Sequence, residues 1–197
     1  TINPSFEANQ ISVFSDMFLK GYIYRGMKPV NWSPSSQTAL AEAELEYPDN
    51  HISKSVYVKF PVLKKTYPNE IKETCDNLNF LVWTTTPWTL PANKALSLNQ
   101  DFVYGIYEIG NEQIIIELDL AIKFNDKSDL NLNKINEISG KTLLEMRYLS
   151  PLTQEECCVY NAEYVTKDAG TGIVHTAPGH GVDDYNTCLL YTSPSPR

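Results

Sequence analysis

The chain has 197 residues, 42% of them hydrophobic, and its 24 acidic side chains outnumber its 16 basic ones to give a net charge of −8. This acidic balance argues against a broad, non-specific nucleic-acid surface, because binding to phosphates requires clusters of Lys and Arg. No apolar run approaches the roughly 20 residues that span a bilayer, and the residues after Thr1 do not resemble a secretory signal. We therefore expect a soluble, intracellular protein with no membrane partner.

The first predicted element is a helix. Asn3-Pro4 can cap it and fill its first turn, apolar residues follow at helical spacing, and Gly21 is a stop signal. Residues 22–32 are predicted to form a short strand and a turn. Residues 39–46 mix Ala, Leu and Glu and are helical by propensity.

From about Tyr47 onward the pattern is mostly β. The alternation of apolar and other residues from Val56 to Val62 is typical of a half-buried strand. Gly110-Asn111 is a hairpin signal between two strand-like runs. Residues 123–136, rich in Asn, Asp and Lys, are predicted to be an exposed excursion, and residues 140–149 to begin as a turn or short helix. The further predicted strands are residues 102–109, 113–118, 160–166 and 172–176.

One apolar strand ends in three consecutive threonines, Thr84, Thr85 and Thr86, and is then stopped by Pro87. Side chains alternate along a strand, so Thr84 and Thr86 should share a face that Thr85 does not. An ordinary strand end does not require three consecutive hydroxyl side chains followed by Pro-Trp-Thr-Leu-Pro, so this segment is a candidate functional peptide.

Three segments, in this order along the chain, together resemble the editing domain of isoleucyl-tRNA synthetase, a class I aminoacyl-tRNA synthetase. They are residues 21–32 with 39–47, the threonine peptide at 83–93 (WTTTPWTLPAN), and residues 170–185 (GTGIVHTAPGHGVDDY). The resemblance implies a mainly β fold with peripheral helices (α+β), namely a β-barrel editing domain of the Val/Ile/Leu synthetase type. It also implies that a fragment of the Rossmann-like catalytic domain precedes this barrel.

The domain boundaries follow from the same resemblance. Residues 1–46 would be the fragment of the synthetic domain with its connection, and residues 47–185 the editing domain. The resemblance also implies that residues 39–46 lead into an extended connection, in place of the helix that their propensity allows. Residues 186–197 depart from the family and end in a Ser/Pro-rich stretch. We interpret this end as a remnant of cloning or sequencing.

The implied function is post-transfer editing, the hydrolysis of the ester that joins valine to the terminal ribose of tRNA(Ile). A second pocket is needed because one methylene gives an aliphatic pocket only about 1–3 kcal/mol of selectivity, as is well known for the isoleucine enzyme itself. The alternative is a catalytically inert fragment that only contacts RNA or another domain. The implied partners are the 3′ end of tRNA(Ile) carrying valine and the rest of a monomeric synthetase, in the cytoplasm or, alternatively, in a plastid or other organelle.

No cofactor is expected for editing. The parent enzyme ligates isoleucine to tRNA using ATP and Mg²⁺, but the chain has neither a His-Ile-Gly-His-like element nor a Lys-Met-Ser-Lys-Ser-like loop, so we expect no ligase activity from it. The four cysteines, Cys75, Cys157, Cys158 and Cys188, form no C-x-x-C pair, and we predict neither disulfides nor a metal site.

Asp184 is the predicted anchor for the substrate α-ammonium group, because a carboxylate and a cationic amine form a charge-assisted hydrogen bond. Without the family motif, Asp183 and Asp184 would be read as residues that stabilise the start of a helix. The resemblance implies that His175 lines the pocket and excludes isoleucine, and we favour this steric role over a general base. Convergence of His175, His180 and Asp184 on a metal ion is a less favoured alternative.

The remaining site residues come from the threonine peptide. Thr84, Thr85 and Thr86 join Asp184 in the predicted catalytic set, where they would bind the terminal adenosine and orient a water, because a threonine without a base is a weak nucleophile. The predicted substrate-binding set comprises His175, Thr89, Asn93, Trp88 and His180. Trp83 and Trp88 could stack on adenine, although core packing is favoured for both.

Overall fold

The computed structural model describes residues 2–128 and 130–192, and β-strands dominate this part of the chain. Its helices are α1 (Pro4–Leu19), α2 (Leu118–Lys127), α3 (Gly140–Leu143) and α4 (Val182–Tyr191). Its strands are β1 (Asn31–Ser33), β2 (Thr38–Leu40), β3 (Val56–Pro61), β4 (Leu78–Thr84), β5 (Ala95–Leu98), β6 (Val103–Ile109), β7 (Glu112–Glu117), β8 (Asn133–Ser139), β9 (Arg147–Leu149), β10 (Glu156–Asn161) and β11 (Ile173–Thr176).

Two sheets enclose the main hydrophobic core. One has the strand order β3-β4-β7-β6-β8 and the other β11-β5-β10-β9. A single bridge between Val62 and Tyr148 links the end of β3 to β9, and β11 packs against β4, so the sheets meet on two sides. Phe60, Phe80 and Tyr148 are fully buried between them. This mainly β architecture with peripheral helices confirms the predicted fold class.

The N-terminal helix is confirmed. Asn3 caps it, accepting a hydrogen bond from the Ser5 backbone N–H at 2.9 Å, and Pro4 occupies the first turn. None of the residues of α1 is buried, so its apolar side chains, such as Phe14 and Phe18, face outward. Within the described residues, no helix is long and apolar enough to cross a membrane.

Of the two alternatives for residues 39–46, the helix is wrong and the extended connection agrees better with the structure. The start of this segment pairs with β1 as strand β2, with Asn31 opposite Leu40, and only residues 42–44 make a 3-10 turn. A segment of eight residues is too short to hold an α-helix on propensity alone, since isolated helices of fewer than about 12–15 residues are marginal. Backbone pairing with β1 therefore decides its structure.

The hairpin at Gly110 is confirmed, because β6 and β7 pair on either side of it and Gly110 adopts a φ of +59°. Residues 123–136 are mostly exposed, as predicted, but they are not an irregular excursion, because they hold the end of α2 and the start of β8. The buried Glu117 carboxylate accepts the backbone N–H groups of Asp119 and Leu120 and begins α2, which buries Phe124, while β8 pairs with β6 as an edge strand. An edge strand is held by backbone hydrogen bonds, so the polar sequence of β8 does not prevent it from forming a strand.

Two other segments differ from expectation. The strand predicted at residues 160–166 lies earlier in the chain, as β10, which ends at Asn161. Strand β5 was not predicted, and it pairs with both β10 and β11. Residues 186–191 complete α4, and the interpretation of residues 186–197 as a remnant stays a prediction. The Tyr191 ring stacks on Tyr160 with centroids 4.3 Å apart. Residues 193–197 lie outside the described residues.

Candidate functional site

The predicted site residues meet where the two sheets come together. β4 ends at Thr84, a 3-10 turn follows at residues 87–92, β11 carries His175, and the first turn of α4 carries Asp184. These elements enclose a cavity of about 190 Å³. Its lining residues are Trp83, Thr84, Thr86, Thr89, Val174, His175, His180 and Asp184.

Thr84 and Thr86 share a cavity, as predicted, but only Thr84 belongs to β4, and the turn after the strand places Thr85 and Thr86. Thr84 and Thr86 both line the cavity, with hydroxyl oxygens 3.2 Å apart, and the Thr84 hydroxyl also accepts the Thr86 backbone N–H at 3.1 Å. Thr85 is exposed and lines a separate cavity of about 240 Å³ on the other side of Trp83. Two hydroxyl groups, rather than three, are therefore presented to a ligand in the first cavity.

His175 has both ring nitrogens engaged and is 7% exposed. Its Nδ1 lies 2.9 Å from the side-chain nitrogen of Asn93, and its Nε2 lies 2.9 Å from Thr89 Oγ1. An amide nitrogen can only donate, so Nδ1 is the acceptor and the proton of the neutral ring is on Nε2. The Nε2–H therefore donates to Thr89, whose hydroxyl donates to the Thr86 carbonyl at 2.9 Å.

These bonds leave only ring carbons of His175 for the cavity. Burial lowers the pKa of His175 from 6.5 to about 4, which keeps the ring neutral near pH 7. A ring without a free lone pair can neither take a proton from water nor ligate a metal ion. In the described part of the chain, no three His, Cys, Asp or Glu side chains are grouped to hold a metal. The geometry thus favours a fixed, apolar wall over a base.

The lowered pKa of His175 has a consequence for stability. In the unfolded chain the imidazole binds a proton below pH about 6.5, whereas in the folded chain it does so only below about 4. The unfolded state therefore holds more protons in this window, and stability falls as the pH falls through it. We expect this group to cost about 2 kcal/mol of unfolding free energy between pH 7 and pH 5.

Urea denaturation at the two pH values measures this loss. His175→Gln, which cannot be protonated, should show a smaller decrease than the unsubstituted chain. Parallel decreases in the two proteins would contradict the assignment of this pH dependence to His175.

Asp184 presents a half-buried carboxylate to the cavity. Its Oδ2 accepts the backbone N–H of Ala177 at 2.8 Å, and its Oδ1 lies 3.4 Å from the Tyr164 hydroxyl. It forms no ion pair within the described residues. Burial raises the pKa of this carboxyl group. A cationic ligand group would neutralise the buried charge and lower that pKa again.

The alternative role, stabilisation of the start of α4, is open to Asp184 as well, because it lies in the first turn of that helix. It is not a side-chain cap, since Gly181 occupies the cap position and the Asp184 carboxylate accepts its hydrogen bonds from the Ala177 N–H and the Tyr164 hydroxyl. Asp183, by contrast, is exposed in the first turn and does not line the cavity, which suits a residue that only complements the helix dipole.

The other predicted residues lie at different depths. Thr89 lines the cavity but is committed to His175 and Thr86. Asn93 is fully buried behind His175 and does not line the cavity. His180 lies at its edge and also lines a larger groove of about 960 Å³, together with Trp88 and the β1–β2 hairpin.

The expectation of core packing is wrong for Trp88, which is 67% exposed. The 3-10 turn that begins at Pro87 carries this side chain away from the core toward the groove. Trp83 is half-buried and lines the cavities on both sides of it.

Two tyrosines of the site were not predicted from the sequence. Tyr164 approaches Asp184, and Tyr148 donates its hydroxyl hydrogen to Asn93 Oδ1 at 2.7 Å. Tyr148 lies 55 residues from Asn93 in the chain. No local pattern distinguishes either residue from an ordinary apolar strand or turn position, so only the fold reveals them.

Comparison with known proteins places this geometry in context. Residues 1–105 match the family of tRNA synthetases class I (I, L, M and V). The chain is 49% identical over 193 residues to the isoleucine–tRNA ligase of Acaryochloris marina (strain MBIC 11017), covering 97% of the chain and 20% of that protein. It is 45% identical over 209 residues to the isoleucine–tRNA ligase of Prochlorococcus marinus (strain MIT 9312), covering 99% and 22%. The chain thus spans about a fifth of the length of the curated relatives it matches.

Two solved structures share the fold. The crystal structure of GlLeuRS-CP1 is similar with a TM-score of 0.58 and 26% identity, over 68% of this chain and 58% of that one. The Plasmodium knowlesi cytosolic leucyl-tRNA synthetase editing domain is similar with a TM-score of 0.52 over 71% of this chain and 64% of that one, and its 13% identity supports the likeness of fold alone.

Proposed function

The chain belongs to the class I tRNA synthetase family of the isoleucine, leucine, methionine and valine enzymes, and on that premise we propose that it carries the editing site of an isoleucine–tRNA ligase. Its fold is that of synthetase editing domains. The proposed reaction is hydrolysis of the ester between valine and the terminal ribose of tRNA(Ile), which releases free valine and intact tRNA.

One observation carries this proposal: a half-buried carboxylate, which forms no ion pair among residues 2–128 and 130–192, shares one small cavity with two hydroxyl groups and the His175 ring. In this proposal Asp184 binds the α-ammonium group of the aminoacyl ester. The ligand thereby supplies the cationic partner that no described residue of the chain provides. The side chain of the amino acid then lies toward His175. Because that ring is held from both nitrogens, it cannot yield to a larger side chain.

The chemistry proposed is attack of a water on the ester carbonyl. Thr84 and Thr86 offer hydroxyl groups that can hydrogen-bond the water or the terminal ribose. Among the described residues, neither hydroxyl is hydrogen-bonded to a base: both nitrogens of His175 are engaged elsewhere, and the Asp184 carboxylate bonds the Ala177 N–H and the Tyr164 hydroxyl. Hydrolysis without a covalent enzyme intermediate is therefore the mechanism that these groups support.

The groove beside the cavity fits the approach of a single-stranded RNA end. It is lined by Lys28, Trp32 and Trp88, and both tryptophans are more than half exposed, so they can stack on bases while the lysine meets a phosphate. His180 lies where groove and cavity join. We propose the 3′ end of tRNA(Ile) as the occupant of this groove.

We assign the other activities of the relatives to a longer protein, of which this chain would be one part. They include ligation of isoleucine with ATP and Mg²⁺ and contact with the rest of a synthetase chain. The outward-facing apolar side chains of α1 favour such a contact, since apolar clusters of this kind mark interfaces. A chain that only makes this contact, without hydrolysis, is the second candidate function.

Deacylation of Val-tRNA(Ile) and Ile-tRNA(Ile) by the purified chain tests the proposal. We expect the valyl ester to be hydrolysed at least about tenfold faster than the isoleucyl ester, since one methylene is worth about 1–3 kcal/mol. A folded chain that hydrolyses neither ester, or both equally, would leave only the second candidate function.

A further inference from the structure

A further cavity lies on the outer face of the five-stranded sheet, beside α2. That helix packs on β6 and β7, and its Leu120 and Phe124 belong to a small hydrophobic cluster with Leu81 of β4. The cavity, which we call the α2 cavity, has a volume of about 350 Å³, within the range of roughly 300–1,000 Å³ that is usual for small-molecule sites. Its lining includes Ser55, Tyr57, Trp83, Lys123, Lys127 and Asp168.

Two aromatic side chains form one side of the α2 cavity. Tyr57 of β3 lies directly opposite Trp83 of β4 in the sheet, so the two side chains share a face. The Tyr57 ring is held by an edge contact with Phe124, with centroids 4.9 Å apart, and 45% of the residue is exposed. A fixed and accessible aromatic ring is a surface on which a planar base can stack.

Two lysines form another side. Lys123 and Lys127 lie one turn apart on α2, both are exposed, and neither forms an ion pair within the described residues. Like charges at this spacing repel each other, and a bound anion would remove that repulsion. The Lys123 Nζ donates to the Lys167 carbonyl at 3.2 Å, which holds one of the two ammonium groups beside the segment that borders the cavity.

Asp168 restricts the kind of anion that fits. Its exposed carboxylate also lines the α2 cavity and forms no ion pair within residues 2–128 and 130–192. A carboxylate repels a phosphate but accepts hydrogen bonds from sugar hydroxyl groups, as it does in dinucleotide-binding folds. The lysines, the aromatic ring and the carboxylate together match a phosphate, a planar base and a hydroxyl-bearing sugar, and a 5′-nucleotide combines these three groups.

We propose that the α2 cavity binds a free 5′-nucleotide, with the phosphate at Lys123 and Lys127, the base on Tyr57 and the sugar hydroxyl groups toward Asp168. Among the described residues, the α2 cavity shares no lining residue with the groove that we assign to the RNA 3′ end. The nucleotide site is therefore separate from the proposed RNA path, and the inference does not depend on the proposed hydrolysis.

A double variant, Lys123→Ala with Lys127→Ala, removes both ammonium groups. Alanine has the highest helix propensity, so α2 should be retained. The matched control is Lys72→Ala with Lys141→Ala, which changes the net charge by the same amount. These two lysines are also exposed and without an ion pair in the described part of the chain, but they do not line the α2 cavity.

A ¹H–¹⁵N NMR titration with adenosine 5′-monophosphate (AMP) tests the inference and also locates the bound ligand. We expect AMP to shift the backbone signals of α2 and of Ala169 and Gly170, which line the cavity. Its affinity should fall at least about tenfold in the double variant, because hydrogen bonds to charged groups are lost. The control should change the affinity less than about twofold.

Two simpler probes separate the parts of the ligand. Adenosine lacks the phosphate, and inorganic phosphate lacks the base and sugar, so each should bind at least about tenfold more weakly than AMP. AMP shifts that are absent, or that are confined to the groove at Trp32 and Trp88, would overturn the inference, as would equal affinities in the two double variants. Inorganic phosphate that binds as tightly as AMP would overturn the assignment of a nucleotide.

Discussion

Replacement of Asp184 by Ala is expected to slow hydrolysis of Val-tRNA(Ile) by roughly 10- to 150-fold. A hydrogen bond to a charged group is worth about 1.5–3 kcal/mol, and Asp184 is the carboxylate of the cavity that would bind the α-ammonium group. The loss should appear in single-turnover deacylation at saturating chain, where binding and orientation of the ester both contribute.

Asp183→Ala is the control for this substitution. It removes the same charge one residue earlier, in the same helical turn, from an exposed side chain that does not line the cavity. We expect it to change the rate less than about twofold, since exposed charges at a helix start are worth only about 0.3–1 kcal/mol of stability. Equal losses in the two variants would contradict an anchoring role for Asp184.

Replacement of Gly172 by Ala is expected to lower the unfolding free energy by about 2–4 kcal/mol, the largest stability effect that we predict. Gly172 precedes β11, the strand that carries His175, and adopts a φ of +74°. A Cβ atom there would lie 2.5 Å from Cβ of the buried Glu117. Strain of the backbone and overpacking of the core would therefore add.

Gly110→Ala separates these two contributions. Gly110 also has a positive φ, of +59°, but a Cβ atom there meets nothing within 4 Å. We expect it to cost only the backbone strain, about 1–2 kcal/mol. Urea denaturation of both variants measures the difference, and equal midpoints would show that the contact with Glu117 contributes nothing.

Local rules account for much of the fold. Asn3 and Pro4 begin α1 because an amide cap and a proline suit the free N–H groups of a first turn. Gly110 closes the β6–β7 hairpin because it adopts a positive φ without strain. Strand alternation also predicts that Thr84 and Thr86 share a face, and both line one cavity, although the turn after β4 is what places Thr86 there.

Long-range contacts account for what the sequence did not reveal. The polar residues of β8 form a strand because β6 offers an edge, a partner that no local window of the sequence contains. Residues 38–40 are a local case, since they pair with β1 across a short hairpin. The start of α2 likewise depends on Glu117, whose carboxylate is also paired with Lys167 at 2.6 Å.

The same limit applies to the site. The sequence predicts His175 and Asn93 as site residues, but the hydrogen bond between them joins positions 82 residues apart, and Tyr148, the other partner of Asn93, lies on β9. Only the folded chain shows that Asn93 acts on His175 from behind. Trp88 shows the reverse case, since an aromatic residue that composition would place in the core lies exposed beside the groove.

The central claim, that Asp184 recognises the α-ammonium group of an aminoacyl ester, is tested most directly by comparing two substrates in two proteins. The substrates are Val-tRNA(Ile) and the same tRNA esterified with the matching α-hydroxy acid, which lacks the ammonium group, and the proteins are the unsubstituted chain and Asp184→Asn. We predict that the unsubstituted chain hydrolyses the amino ester at least about tenfold faster and that Asp184→Asn shows no preference. A preference that survives in Asp184→Asn, or that is absent from the unsubstituted chain, would contradict the claim.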